Sequence, residues 1–109
     1  MNFEKLASQA ERAETLLKAI ANRYRLMVLC DLHQGERSVS ALQDKVGLSQ
    51  SSLSQHLARL RHEGFVTTRR EAQTIYYALA SAEITALIAT LHQLYCASAC
   101  PPPAKGPSS

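Results

Sequence analysis

A chain of 109 residues, 46% hydrophobic and 19% charged, has the make-up of a single globular domain, and none of its apolar runs reaches the length of a membrane span. The formal net charge of +3 suits a polyanionic partner without demanding one. The N-terminal MNFEKLASQAERAE carries charges where a signal peptide needs an apolar segment, and the three cysteines (Cys30, Cys96, Cys100) are an odd number; together they point to a cytoplasmic protein without a disulfide framework.

Phe3, Leu6, Ala10, Ala13, Leu17 and Ile20 recur at steps of three and four, which predicts an amphipathic first helix. Asn22 is placed to cap a second helix, Arg23 to Gln34, whose run Leu26-Met27-Val28-Leu29-Cys30 is apolar on most sides and therefore buried; Gly35 ends it. Ser38 caps a short helix with Val39, Leu42 and Val46 on one face. Gly47-Leu48 makes a turn, and Ser49 caps a longer helix with Leu53, Leu57 and Leu60 inward and Gly64 as its stop. A short helix, a glycine turn and a capped second helix form the layout of a helix-turn-helix.

The period then changes to two. Val66-Thr67-Thr68-Arg69 and Thr74 to Leu79 read as strands, with Arg70-Glu71-Ala72-Gln73 at the hairpin tip: a wing. Ser81 caps a last helix with Glu83 in its first turn and a stripe of Ile84, Leu87, Ile88, Leu91, Leu94 and Tyr95. The expected fold is mainly α with a β-hairpin wing, in the order α–α–α–α–β–β–α. Residues 1–98 form the winged helix-turn-helix domain, and 99–109, with Pro101-Pro102-Pro103 and Gly106-Pro107, form a disordered tail.

At about 100° per residue, the helix after Ser49 turns Ser51, Ser52, Gln55, Ala58, Arg59 and His62 away from its leucines. That face lacks the Glu/Lys pairs of an ordinary solvated helix and offers hydroxyls, an amide and a guanidinium, groups that bond base edges and phosphates. Gln55 suits adenine and Arg59 guanine or phosphate. Taken alone, the face is equally well a serine-rich solvated surface; between a glycine turn and a wing bearing Arg69, Arg70 and Gln73 it reads as a recognition helix. The candidate DNA-binding set is Ser49, Gln50, Ser51, Ser52, Ser54, Gln55, His56, Arg59, Arg69, Arg70 and Gln73. Arg69 and Arg70 are either solvated strand-end charges or grips on the DNA backbone, with Glu63 and Glu71 their nearest acids in sequence.

LLKAIANRYRLMVLCDL and LSQSSLSQHLARLRHEGFVTTRREAQTIYYAL, within Leu16 to Cys96, resemble the ArsR/SmtB family of bacterial winged-helix regulators, and most of all its sulfide- and redox-responsive branch. The resemblance implies a homodimer joined through the first and last helices, double-stranded pseudo-palindromic operator DNA as partner, and repression relieved by a chemical signal. It also exposes departures. Arsenic and cadmium sensors of the family carry a CVC segment where this chain has Glu36-Arg37-Ser38-Val39-Ser40-Ala41-Leu42, and the zinc-sensor ligand pairs of the last helix reduce here to Glu83 and His92. Neither of those metal sites is expected, and no cofactor.

Cys30 and Cys96, each by itself, read as structural thiols. In the branch this chain resembles, the matching pair is a reversible dithiol switch bridged by a disulfide or short polysulfide. Cys100, one turn beyond Cys96, is either a dispensable tail thiol or a third group; Cys30, Cys96 and Cys100 together would suit a thiophilic metal or metalloid, the alternative inducer. His33, His56, His62 and His92 show no ligand spacing with a carboxylate, and neither a phosphate loop nor a nucleophile motif is present, so an enzyme is not expected. A protein-binding winged helix would carry a more apolar reading face.

Overall fold

The computed structural model describes residues 2–96; Cys100 and the proline-rich tail lie outside the described residues, as does the side chain of Cys96. Among the described residues, five helices and three strands follow in order: α1 (Phe3–Ile20), α2 (Arg23–His33), β1 (Arg37–Ser38), α3 (Val39–Val46), α4 (Gln50–His62), β2 (Val66–Glu71), β3 (Thr74–Leu79) and α5 (Ala82–Leu91), with a π-helical turn over His92–Cys96.

The helix starts are set by side-chain caps. Asn22 accepts from the Tyr24 and Arg25 amides, Ser38 from Ala41, Ser49 from Ser52 and Ser81 from Ile84. Each satisfies a donor that the first turn leaves open, and each contributes about 1 kcal/mol. Gly47 ends α3 at φ 80°, the left-handed conformation that lets its N–H return to the Gln43 carbonyl and turns the chain sharply into α4.

The core is built by α2 (Val28, Leu29, Leu32), α3 (Leu42, Val46), α4 (Leu53, Leu57, Leu60) and α5 (Ile84, Ile88), closed by Phe65 and Val66 at the base of β2. From α1 only Ala19 is buried, while Phe3, Leu6 and Leu17 stand in solvent. The stripe expected along the last helix holds at Ile84 and Ile88, but α5 gives way to the π-helical turn after Leu91, and Leu94 and Tyr95 are 62% and 72% exposed.

Two features of the wing differ from the sequence expectation. The hairpin tip is shorter: Arg70 and Glu71 belong to β2, paired with Ile75 and Thr74, so the turn is Ala72-Gln73 alone. Ala72 takes φ 58°, which the tight right-twisted hairpin requires. A third strand, β1, joins the other edge of β3, giving the order β1-β3-β2, with Arg37 opposite Tyr77 and Ser38 opposite Tyr76. The wing is thus anchored to the segment leading into the helix-turn-helix. No helix of the described residues is long and apolar enough to cross a membrane.

Candidate nucleic-acid interface

α4 divides as its sequence dictates. Leu53, Leu57 and Leu60 are 0–1% exposed and fix the helix on the core, each burial contributing about 1.5–3 kcal/mol. Gln50, Ser51, Ser54, Gln55, Ala58, Arg59, Arg61 and His62 are all exposed. Ser49 spends its hydroxyl on the cap, 3.2 Å from the Ser52 amide and 3.4 Å from the Ser51 hydroxyl. Ser52, expected on the outer face, is half-buried; it lies one turn before His56, on the flank of α4 that His56 packs against α2. Arg59 stays near Glu63 at 3.7 Å, a loose one-turn pair that an anion can displace. The opposite flank, Ser54, Ala58 and Arg61, lines a cleft of about 400 Å³ closed by Val39 and Tyr77.

The wing arginines are not equivalent. Arg69 is gripped by Glu36, its Nε and Nη2 each 2.8 Å from a carboxylate oxygen; its Nη1 reaches Glu71 at 3.0 Å, and its guanidinium lies 4.6 Å from the centre of the Tyr76 ring across the strand pair. The bidentate hydrogen bond holds the Glu36 carboxyl below its usual pKa and raises that of Arg69. Glu36, 33 residues away in sequence, is the acid missing from the local charge count. Arg70 is exposed and has no ion pair among the described residues. Gln73 stands exposed in the hairpin turn.

His56 occupies the α2-facing flank of α4. It is half-buried, stacked on Tyr24 with ring centres 6.2 Å apart, and its Nδ1 lies 3.3 Å from Nη1 of Arg25. Burial first, then the Arg25 and Arg59 charges, lower its pKa and keep the ring neutral. Cys30 is half-buried on α2 and packs against the core.

A helix-turn-helix with an exposed serine, glutamine and arginine face beside an arginine-bearing hairpin has the outline of a DNA-binding domain, and known proteins share it. The model of the bacterial regulatory protein arsR family matches residues 22–68. The transcriptional activator HlyU of Vibrio cholerae is 51% identical over 88% of this chain and 89% of its own length. The structure of reduced HlyU from that organism superposes with a TM-score of 0.82 at 50% identity, covering 85% of this chain and 98% of the other. The biofilm growth-associated repressor of Xylella fastidiosa is 38% identical over 89% of this chain and 85% of its own. A homodimeric winged helix-turn-helix DNA-binding domain from Mycobacterium bovis aligns with a TM-score of 0.72 at 31% identity, covering 85% and 86% of the two chains.

The chain belongs to the ArsR family of transcription regulators.

ArsR regulators are winged-helix DNA-binding proteins, and the relatives matched here are named as an activator and repressors, not as enzymes. Three residues in or behind the candidate interface of this ArsR protein escape a reading of its sequence alone. Arg61 falls outside the opposed face because it flanks the leucines, yet it is exposed and lines the cleft beside Tyr77. Glu36 acts only through the fold, across the wing. Arg25 is 8% exposed, an unexpected place for a guanidinium, and donates to the Ala19 carbonyl at 2.8 Å, the Lys18 carbonyl at 3.1 Å and His56. Those carbonyls end α1, where the helix has no partners of its own and its dipole is negative, so the site compensates a buried cation.

Proposed function

We propose that this regulator acts in the cytoplasm as a homodimer that sets α4 of each protomer into successive major grooves of a pseudo-palindromic operator and represses by occupancy. The observation that carries this reading is the exposed face of Gln50, Ser51, Ser54, Gln55, Arg59 and His62, which holds no carboxylate. Gln55 and Arg59 make the base contacts; Ser51, exposed in the first turn, places its hydroxyl toward a phosphate at the helix start that the Ser49 cap fixes; Arg70 and Gln73 extend the contact from the wing. Arg69 serves chiefly to brace the wing. Dimerisation through α1 and α5 is supported by the exposed Phe3, Leu6, Leu17, Leu94 and Tyr95 and by a groove of about 730 Å³ between the two helices, lined by Ala13, Leu16, Ala86 and Leu87. Repression is tested by a transcription assay on a bound promoter, where added protein lowers transcript yield; no effect, or an increase, contradicts it.

The control is proposed to be a reversible dithiol switch between Cys30 on α2 and Cys96 at the end of the described chain. Two thiols give up two protons and two electrons to a polysulfide or peroxide and become bridged. The bridge ties α2 to the C-terminal helix of the dimer interface and alters the spacing of the two α4 helices. Half-sites lie roughly 34–36 Å apart, so a small shift misplaces one helix, and a coupling of about 1–3 kcal/mol is enough to release DNA. The test is mass spectrometry and DNA binding on protein treated with tetrasulfide, peroxide or nothing. A Cys30–Cys96 bridge with weakened binding supports the switch; unbridged protein with unchanged affinity under every oxidant contradicts it.

A further inference from the structure

The strongest unassigned relationship in the molecule joins Arg25, buried beneath the end of α1, to His56 on the flank of α4. Arginine has only N–H donors, so the 3.3 Å contact requires Nδ1 of His56 to be the acceptor. A neutral imidazole that accepts at Nδ1 carries its proton on Nε2. That Nε2 makes no hydrogen bond among the described residues, and it is absent from the buried polar atoms that lack partners, so it opens to solvent. It does so beside the face that carries Gln55 and Arg59. The Tyr24 ring stacked on one side fixes the plane of the imidazole, and the two α1 carbonyls fix the guanidinium that fixes the tautomer.

We propose that Arg25 is a positioning residue that locks His56 as the Nε2–H tautomer, so that α4 presents a neutral, pre-oriented donor to a DNA phosphate beside its base-reading face. This rests on α4 being the DNA-reading helix. Orientation is the gain: a free imidazole divides between two tautomers and several ring angles, whereas this one has a single donor in a single direction before DNA arrives. A neutral donor releases no counterion. Loss of His56 therefore weakens binding to every sequence alike and leaves the salt dependence unchanged, unlike loss of an arginine at a phosphate.

The test uses the full chain, a duplex selected from a random pool by the wild-type protein, and an unrelated duplex. Long-range proton–nitrogen NMR reads the tautomer directly: the Nε2–H form in the wild type is expected, and the Nδ1–H form or an even mixture overturns the proposal. His56→Phe keeps the stack on Tyr24; it is expected to weaken both duplexes roughly tenfold at an unaltered salt slope. Arg25→Met is expected to mix the tautomers and weaken binding to a similar extent, with no further loss in the double variant. If Arg25→Met fails to fold, the wild-type tautomer and His56→Phe decide the matter. Unchanged binding by His56→Phe, or a slope that falls with it, overturns the proposal. Where Gln55→Ala and Arg59→Ala still weaken binding in that case, the assignment of α4 stands; where neither does, that assignment fails as well.

Discussion

Glu36 and Arg69 meet face to face, two oxygens against two nitrogens at 2.8 Å each, and so tie the wing to the connection between α2 and α3. The pair stands beside the proposed DNA contact and withholds one wing cation from it.

Removing the carboxylate tests that balance. Glu36→Gln is expected to free Arg69 for a phosphate, raising affinity for unrelated DNA and steepening the logarithmic salt slope by about one. Titration at several salt concentrations measures both. An unchanged slope means that Arg69 stays on Glu71 and Tyr76.

Arg70 and Arg69 separate in the same assay. Arg70 is exposed with no ion pair among the described residues, so Arg70→Ala is expected to flatten the slope by about one. Arg69→Ala removes a guanidinium that two carboxylates already engage, and its effect on the slope is smaller.

The lowered pKa values of His56 and Glu36 give stability an acid limit. His56 is disfavoured as a cation by burial, Arg25 and Arg59, so the unfolded chain takes up its proton first; stability is complete above pH about 6.5 and falls as the pH drops through that value toward the lower folded one. Glu36, whose folded pKa is depressed by Arg69, contributes above pH about 4.5 and loses its contribution as the pH falls through its folded value. Melting temperatures followed from pH about 7.5 to about 5, across the ordinary histidine value, are expected to fall more steeply in the wild type than in His56→Phe. Equal slopes contradict the assignment.

The hairpin turn holds strain that can be relieved. Ala72 sits at φ 58°, where a Cβ costs roughly 1–2 kcal/mol and asparagine is better tolerated. Ala72→Asn is expected to raise unfolding free energy by about 0.5–1 kcal/mol in urea titrations, leaving DNA affinity within twofold. A loss of stability contradicts the turn geometry.

What could be read from the sequence is local. Asn22, Ser38, Ser49 and Ser81 announce the helix starts because capping needs only residues two or three apart. Leu53, Leu57 and Leu60 announce the buried side of α4 for the same reason. β1 has no such signature: a two-residue strand cannot show alternation, and only the edge of β3 makes it one. The two-residue tip has no sequence signature, because nothing in Arg70-Glu71-Ala72-Gln73 marks Ala72 as left-handed. Arg69–Glu36 and Arg25–His56 join residues 33 and 31 apart, and a pattern of nearby residues carries no trace of either.

The measurement that tests the central claim most directly compares wild type, Gln55→Ala and Arg59→Ala on the selected and unrelated duplexes under reducing conditions. Both side chains are exposed, so folding is unaffected. Each substitution is expected to reduce the preference for the selected duplex by about 1–3 kcal/mol, and Arg59→Ala also to weaken binding to the unrelated one. A preference that survives both substitutions intact would show that α4 does not read the operator.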